Sequence, residues 1–163
     1  MTQPTTAQRS HSDMEILELL KRVTNTHPPD QVLKKTVKIL RENKEFYNWV
    51  GIYLVNGDNL VLAAYAGDNE TEHVTIPLGN GICGLAAKQG ATVIVPDVNR
   101  DPRYLMCFPS TRSEIVVPIR SGSRVLGEID IDSDRLSAFT GKDRNLLEEA
   151  AIILASYLEQ QAP

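Results

Sequence analysis

The chain has 163 residues, 42% of them hydrophobic and 23% charged, with a formal net charge of −4. That length and balance suit one domain with a full apolar core. The acidic balance argues against nucleic acid as the main partner, because phosphate binding needs a basic field. No apolar run approaches the roughly 18 residues that a membrane-spanning helix requires.

The first ten residues are polar and lack the apolar stretch of a signal peptide. Residues 1–11 read as a disordered tail and 12–160 as a single domain. Ser12 and Glu15 form a capping box, followed by Ile16, Leu19, Leu20 and Val23 at helical spacing. His27, Pro28 and Pro29 break that helix. Asp30 is placed to cap a second one, whose buried stripe is Leu33, Val37 and Leu40.

The pattern then changes to strands. Asn48 to Val55 and Leu60 to Tyr65 flank Asn56-Gly57, a strong hairpin signal. His73 to Ile76 reads as a third, short strand. Gly79 to Gly90 reads as a glycine turn, a short helix and a glycine stop. Thr92 to Val95 is a fourth strand. The long segment from Pro96 to Arg112 is of the kind that binds or covers something in a compact domain.

Ser113 to Ile119 and Arg124 to Asp132 form a second hairpin around Ser121-Gly122. Thr140 caps a last helix whose apolar face is Leu146, Leu147, Ala150, Ile153, Leu154 and Tyr157. The order α-α-β-β-β-α-β-β-β-α predicts an α+β fold: an antiparallel sheet of about six strands flanked by N- and C-terminal helices.

One strand stands out. In a strand, side chains at i and i+2 share a face. Glu128, Asp130 and Asp132 therefore share one face, and Ile129 and Ile131 the other. By itself this is the pattern of a sheet with one solvated side. Three like charges in a row also repel, which marks them as groups with a use.

Several strings resemble GAF domains, a PAS-related fold: Pro96 to Tyr104, Thr111 to Ile119, Leu126-Gly127, and Ala138 to Thr140. A narrower resemblance is to the free methionine-(R)-sulfoxide reductases. It rests on Asn48 to Leu54, on Gly79-Asn-Gly-Ile-Cys-Gly84, on Cys107 seven residues before Glu114, and on Asp130 to Ser133. Both cysteines fall on family cysteine positions. A third family cysteine, ten residues before Cys83, is His73 here. Met106 and Phe108 flank Cys107 where the family has a small residue and Asp, and the stretch from Arg103 to Ser113 is closer to sensory GAF domains.

The resemblance implies reduction of free L-methionine-(R)-sulfoxide. A thiolate attacks sulfur, an acid protonates the departing oxygen, and a second thiol resolves the sulfenic acid. Cys107, mid-loop, is the expected nucleophile, and Cys83 the resolving thiol. Both residue types are also common as small buried hydrophobes. Cys83 sits at a helix start, where free N–H groups favour a thiolate.

Glu114, Asp132 and Asp130 are the acid and ammonium-binding candidates, since crowded carboxylates raise one another's pKa. Trp49 would wall the methyl-sulfur end. Tyr53, on the same strand face, would close the pocket, although strand aromatics are also ordinary core. Gly79 and Gly81 offer N–H groups for a carboxylate.

No metal or bound cofactor is expected, because two distant cysteines do not make a zinc motif. The reductant would be an external dithiol such as thioredoxin, and a cytoplasmic homodimer fits. The sequon Asn69-Glu-Thr71 carries no role. The competing reading is a stand-alone sensory GAF module that binds a small ligand and signals as a dimer.

Overall fold

The computed structural model describes residues 10–162. Helices α1 (Asp13–Thr26) and α2 (Pro29–Asn43) lead into strands β1 (Trp49–Asn56), β2 (Asn59–Ala66) and β3 (Thr75–Pro77). Helix α3 (Gly81–Gln89) and strands β4 (Val93–Val95), β5 (Ser113–Ser121) and β6 (Arg124–Ser133) follow, and α4 (Gly141–Gln161) ends the chain. The order is the one the sequence predicts, with one 3-10 turn added at Val98–Arg100. The expected tail falls outside the described residues except for its last two. Of these, His11 donates its backbone N–H to Asn43 Oδ1 at 3.1 Å.

Local chemistry accounts for the helix starts. Ser12 Oγ accepts from the Glu15 N–H, and Glu15 Oε1 accepts from the Ser12 N–H, both at 3.2 Å. Thr140 N–H donates to Asp143 Oδ2 at 2.8 Å in the same manner. Asp30 does not cap α2. The cap is Pro28, with Pro29 in the first turn and no side-chain cap bond. Proline has no N–H to satisfy and presets φ, so the helix starts two residues earlier and Asp30 acts only through the dipole.

The six strands form one antiparallel sheet in the order β3-β2-β1-β6-β5-β4. Gly57 and Gly122, both at φ 60°, supply the left-handed turns of the two long hairpins. One sheet face presents Val50, Ile52, Ile115, Val117, Ile119, Ile129 and Ile131 to α1, α2 and α4. Leu147, Ala150 and Leu154 meet them from α4, and Ile16 and Leu20 from α1. Each fully buried aliphatic side chain there contributes about 1.5–3 kcal/mol, so this face carries the stability of the fold. Leu33 and Ile153 pack at its margin, only partly buried.

The opposite face is not solvated. Helix α3 and the segment after β4 cover it, and Trp49, Tyr53, Leu60, Ile76, Val95 and Val116 pack there against Ile82, Cys83, Ala86 and Val98. The alternation of β6 therefore aims Glu128, Asp130 and Asp132 into a second core, where they are 0%, 0% and 1% exposed. The solvated-face expectation fails because the covering elements lie far away in sequence. The cover is pinned at its ends: Val98 N–H donates to Arg112 O, and Arg112 N–H to Ser133 O, both at 2.8 Å. β3 starts at Thr75 and leaves His73 in the preceding loop. Among the described residues no helix is long and apolar enough to cross a membrane.

Candidate active site

Strand register assembles the acidic residues. Asp132 sits between Trp49 of β1 and Glu114 of β5, Asp130 between Gly51 and Val116, and Glu128 between Tyr53 and Pro118. Glu114 is 2% exposed and joins the cluster from the neighbouring strand. Helix α3 lowers Cys83 onto it, with Sγ 3.8 Å from Glu114 Oε1. Glu114 Oε2 and both oxygens of Glu128, Asp130 and Asp132 are buried without a hydrogen-bond partner when all four groups are ionised.

Protons relieve part of this. Burial, then the charges of Asp130 and Asp132, push the Glu114 carboxyl well above its usual range, and a hydrogen bond from Glu114 to Asp130 adds to the effect. Asp130 is also raised by burial, but it is pulled back by accepting from Glu114 and Cys83. Asp132 is raised well up by burial and by Asp130. Glu128 is raised by burial and Asp130, and partly relieved by the Cys83 thiol. The proton thus belongs on Glu114 and the charge on Asp130.

Cys83 does not gain a thiolate from its helix. Burial, then Asp130, Glu128 and Glu114, hold its thiol well above the usual value. A helix end offers about half a unit charge, worth about 0.3–1 kcal/mol when exposed. Three adjacent carboxyl groups and complete burial outweigh that. The glycine turn offers less than expected as well: the Gly79 N–H is already bonded to Gly84 O at 2.9 Å.

Cys107 lies in the covering segment, partly buried. Its N–H donates to Tyr104 Oη at 3.4 Å and its thiol to Leu105 O at 3.7 Å. Burial raises its pKa far above normal, followed by the charges of Asp130, Asp132 and Glu114; the Thr71 hydroxyl, bonded to its sulfur, opposes them. Both cysteines are free thiols, and they line one narrow cavity of about 10 Å³ with His73, Leu105 and Glu114.

His73, at the third family cysteine position, bridges three elements. Its Nε2 is 2.9 Å from Met106 O, its carbonyl accepts from Tyr53 Oη at 2.8 Å, and its N–H donates to Thr71 Oγ1 at 3.1 Å.

Trp49 forms the wall of a second cavity, of about 170 Å³, lined also by Asp132, Phe108, Asp68 and Thr111. Its indole stacks on Tyr65 at 5.9 Å between centroids and tilts against Phe108 at 5.6 Å. The ring lies across Gly51 and Gly67, where any Cβ would run into it. Glu114 lines the first cavity, Asp132 the second, and β5–β6 register sets the two residues opposite each other.

Six of the seven residues singled out from the sequence therefore meet in one place: Cys83, Cys107, Glu114, Asp130, Asp132 and Trp49. Tyr53 is fully buried and lines neither cavity; its hydroxyl donates to the His73 carbonyl. Phe108 also lines the Trp49 cavity, and Glu128 and Thr71 act on Cys83 and Cys107 from outside both cavities. Period-two alternation already placed Glu128 on the acidic face. Nothing in the sequence singled out Thr71 beyond a sequon.

A curled six-stranded antiparallel sheet with helices on one face and a covered pocket on the other defines a GAF domain, and residues 28–158 match the GAF domain family model. The free methionine-R-sulfoxide reductase of Escherichia coli strain K12 is 32% identical over 126 residues, which is 77% of this chain and 75% of that protein. The structure of free methionine-R-sulfoxide reductase from Neisseria meningitidis in complex with its substrate superposes with a TM-score of 0.86 at 35% identity, covering 98% of this chain and 100% of that one. The type II free methionine-R-sulfoxide reductase from Thermoplasma acidophilum gives 0.77 at 39% identity, covering 86% of this chain and 96% of that one. The chain belongs to the GAF family and, within it, to the free methionine-R-sulfoxide reductase family of enzymes.

Proposed function

We propose that this protein reduces free L-methionine-(R)-sulfoxide to methionine, with Cys107 as nucleophile, Cys83 as resolving thiol and an external dithiol such as thioredoxin as reductant. The observation that carries this reading is the single cavity lined by both thiols and Glu114, set beside a wall formed by Trp49 and Asp132.

The electrostatics suggest how the nucleophile is switched on. With the site free, burial and then the neighbouring carboxyls, Asp130 first, oppose a Cys107 thiolate. An amino-acid ammonium placed against Asp130 and Asp132 offsets the carboxylate part of that opposition, so the thiolate is more favoured with substrate present. The apolar methyl-sulfur end packs against Trp49 and Phe108. The Thr71 hydroxyl, whose oxygen already accepts from His73 N–H, favours the Cys107 thiolate.

The Cys107 thiolate then attacks the sulfoxide sulfur. Glu114, a protonated member of the cluster, delivers its proton to the sulfoxide oxygen with Asp132 beside it. Oxygen passes to Cys107 as a sulfenic acid and methionine leaves. The Cys83 thiol displaces water from Cys107–SOH to give a disulfide, and the dithiol restores both thiols.

The test is consumption of free L-methionine-(R)-sulfoxide with the S epimer as control, using dithiothreitol and then thioredoxin. Turnover of the R epimer alone, lost in Cys107→Ser, is the expected result. A folded protein that turns over neither epimer with either reductant would overturn the proposal.

A further inference from the structure

We propose that Cys83, Glu114 and Asp130 form a binding site for a thiophilic divalent cation such as Zn²⁺, and that its occupation blocks the thiol chemistry. Metal binding goes beyond the reductase reading and does not depend on it; the block on thiol chemistry rests on that reading.

The first observation is geometric. Cys83 Sγ, a Glu114 oxygen and an Asp130 oxygen all lie within 4.8 Å of one another. A tetrahedral zinc with arms of about 2.0–2.3 Å sets its ligands about 3.5 Å apart. The 3.8 Å between Cys83 Sγ and Glu114 Oε1 is close to such an edge. One sulfur with carboxylate oxygens is a donor set that Zn²⁺ accepts, and a site of three protein ligands leaves one position open.

The second observation is independent of spacing. All three residues are buried, Cys83 at 5% exposed, and Glu114 Oε2 and both Asp130 oxygens have no hydrogen-bond partner from outside the cluster itself. Among the described residues no ion pair reaches Glu114, Glu128, Asp130 or Asp132. Buried charge without a counter-charge is strongly unfavourable, and a divalent cation supplies two positive charges where the protein supplies none.

Entry is through the covering segment, whose exposed Leu105 lines the cavity. On binding, the Cys83 thiol proton leaves to solvent and the sulfur becomes a metal thiolate. Cys83 then cannot resolve a sulfenic acid, and Glu114 no longer holds a proton to donate.

The reduced full-length protein is titrated with Co²⁺, following the near-ultraviolet thiolate-to-cobalt band, and Zn²⁺ is then added to displace it. The expected result is one equivalent of Co²⁺ with a thiolate band. The band is lost in Cys83→Ser, retained in Cys107→Ser, and needs at least tenfold more metal in Asp130→Asn. Glu114→Gln gives a second carboxylate arm if one variant fails to fold, with circular dichroism as the check. No thiolate band, a band lost in Cys107→Ser instead, or one indifferent to both carboxylate variants would overturn the site. The readout is spectral, so an inactive protein with the band refutes only the reductase reading, and an active one without it refutes only the metal site.

Discussion

Stability should fall as pH rises through neutrality, opposite to the usual behaviour of buried acids held by ion pairs. Glu114, Glu128 and Asp132 all have folded pKa values well above their unfolded ones, with burial as the main cause. Between the two values the folded chain holds a proton that the unfolded chain has released. The slope of unfolding free energy against pH is then negative, about −1.4 kcal/mol per pH unit for each such proton. The stability is fully present below the unfolded carboxyl pKa and is lost as pH rises toward the folded one.

From about pH 5.5 to 7.0 one retained proton costs about 2 kcal/mol and two cost about 4 kcal/mol, a large share of a typical total of about 5–15 kcal/mol. Urea unfolding under reducing conditions, at half-unit pH steps, reads the slope directly. Glu128 is the group to change, because it lines neither site cavity and its thiol contact is to Cys83 alone. Glu128→Gln should flatten the slope by about 1.4 kcal/mol per pH unit and make the protein more stable at pH 7.5. A wild-type slope that is flat or positive over this range, or a slope unchanged in Glu128→Gln, would refute the electrostatic account of the site. Toward acid the sign reverses. Asp101 and Glu148, lowered by hydrogen bonds to Arg103 and to Thr92, contribute stability that is lost as pH falls through their folded values.

Other perturbations address the chemistry and the packing separately. Cys83→Ser should leave a single turnover, measured as one methionine per enzyme, while multiple turnover with thioredoxin is lost. Thr71→Val removes the one hydroxyl that favours the Cys107 thiolate; at about 1 kcal/mol per hydrogen bond, alkylation of Cys107 by iodoacetamide in a Cys83→Ser background should slow about fivefold. Gly51→Ala pushes a methyl into the Trp49 indole and should raise KM for the sulfoxide more than it lowers kcat. Ile131→Ala opens a cavity on the apolar face and should cost about 2–5 kcal/mol in urea unfolding, with kcat changed little in the surviving folded fraction.

The element order and both hairpins were readable in the sequence because hydrophobic periodicity and glycine turns are local signals. The destination of the acidic face was not. Glu128, Asp130 and Asp132 obey the same alternation whether water or α3 lies above them, and α3 is more than thirty residues upstream. The thiolate at Cys83 failed for the same reason: the helix start is visible locally, but Glu114, Glu128 and Asp130 arrive from β5 and β6. Spacing marked His73 only as a replaced cysteine; its partners, and any part for Thr71, appear only when the β2–β3 loop meets the Cys107 segment.

The two faces of β6 show why one short strand holds both the fold and the chemistry. Ile129 and Ile131 are anchored in a core whose loss would unfold the domain. Their register with β1 and β5 is what fixes Asp130 opposite Gly51 and Asp132 opposite Glu114 and Trp49. A slip of one residue would send every carboxylate into the apolar core and every isoleucine into the site, so the hydrophobic face enforces the geometry of the acidic one. Unpaired buried carboxyls destabilise the domain, and the large aliphatic core opposite supplies the surplus that lets them persist. Substitutions that improve the acidic face, Glu128→Gln first among them, should therefore stabilise the protein, and those at Asp130 or Asp132 should do so at the expense of turnover.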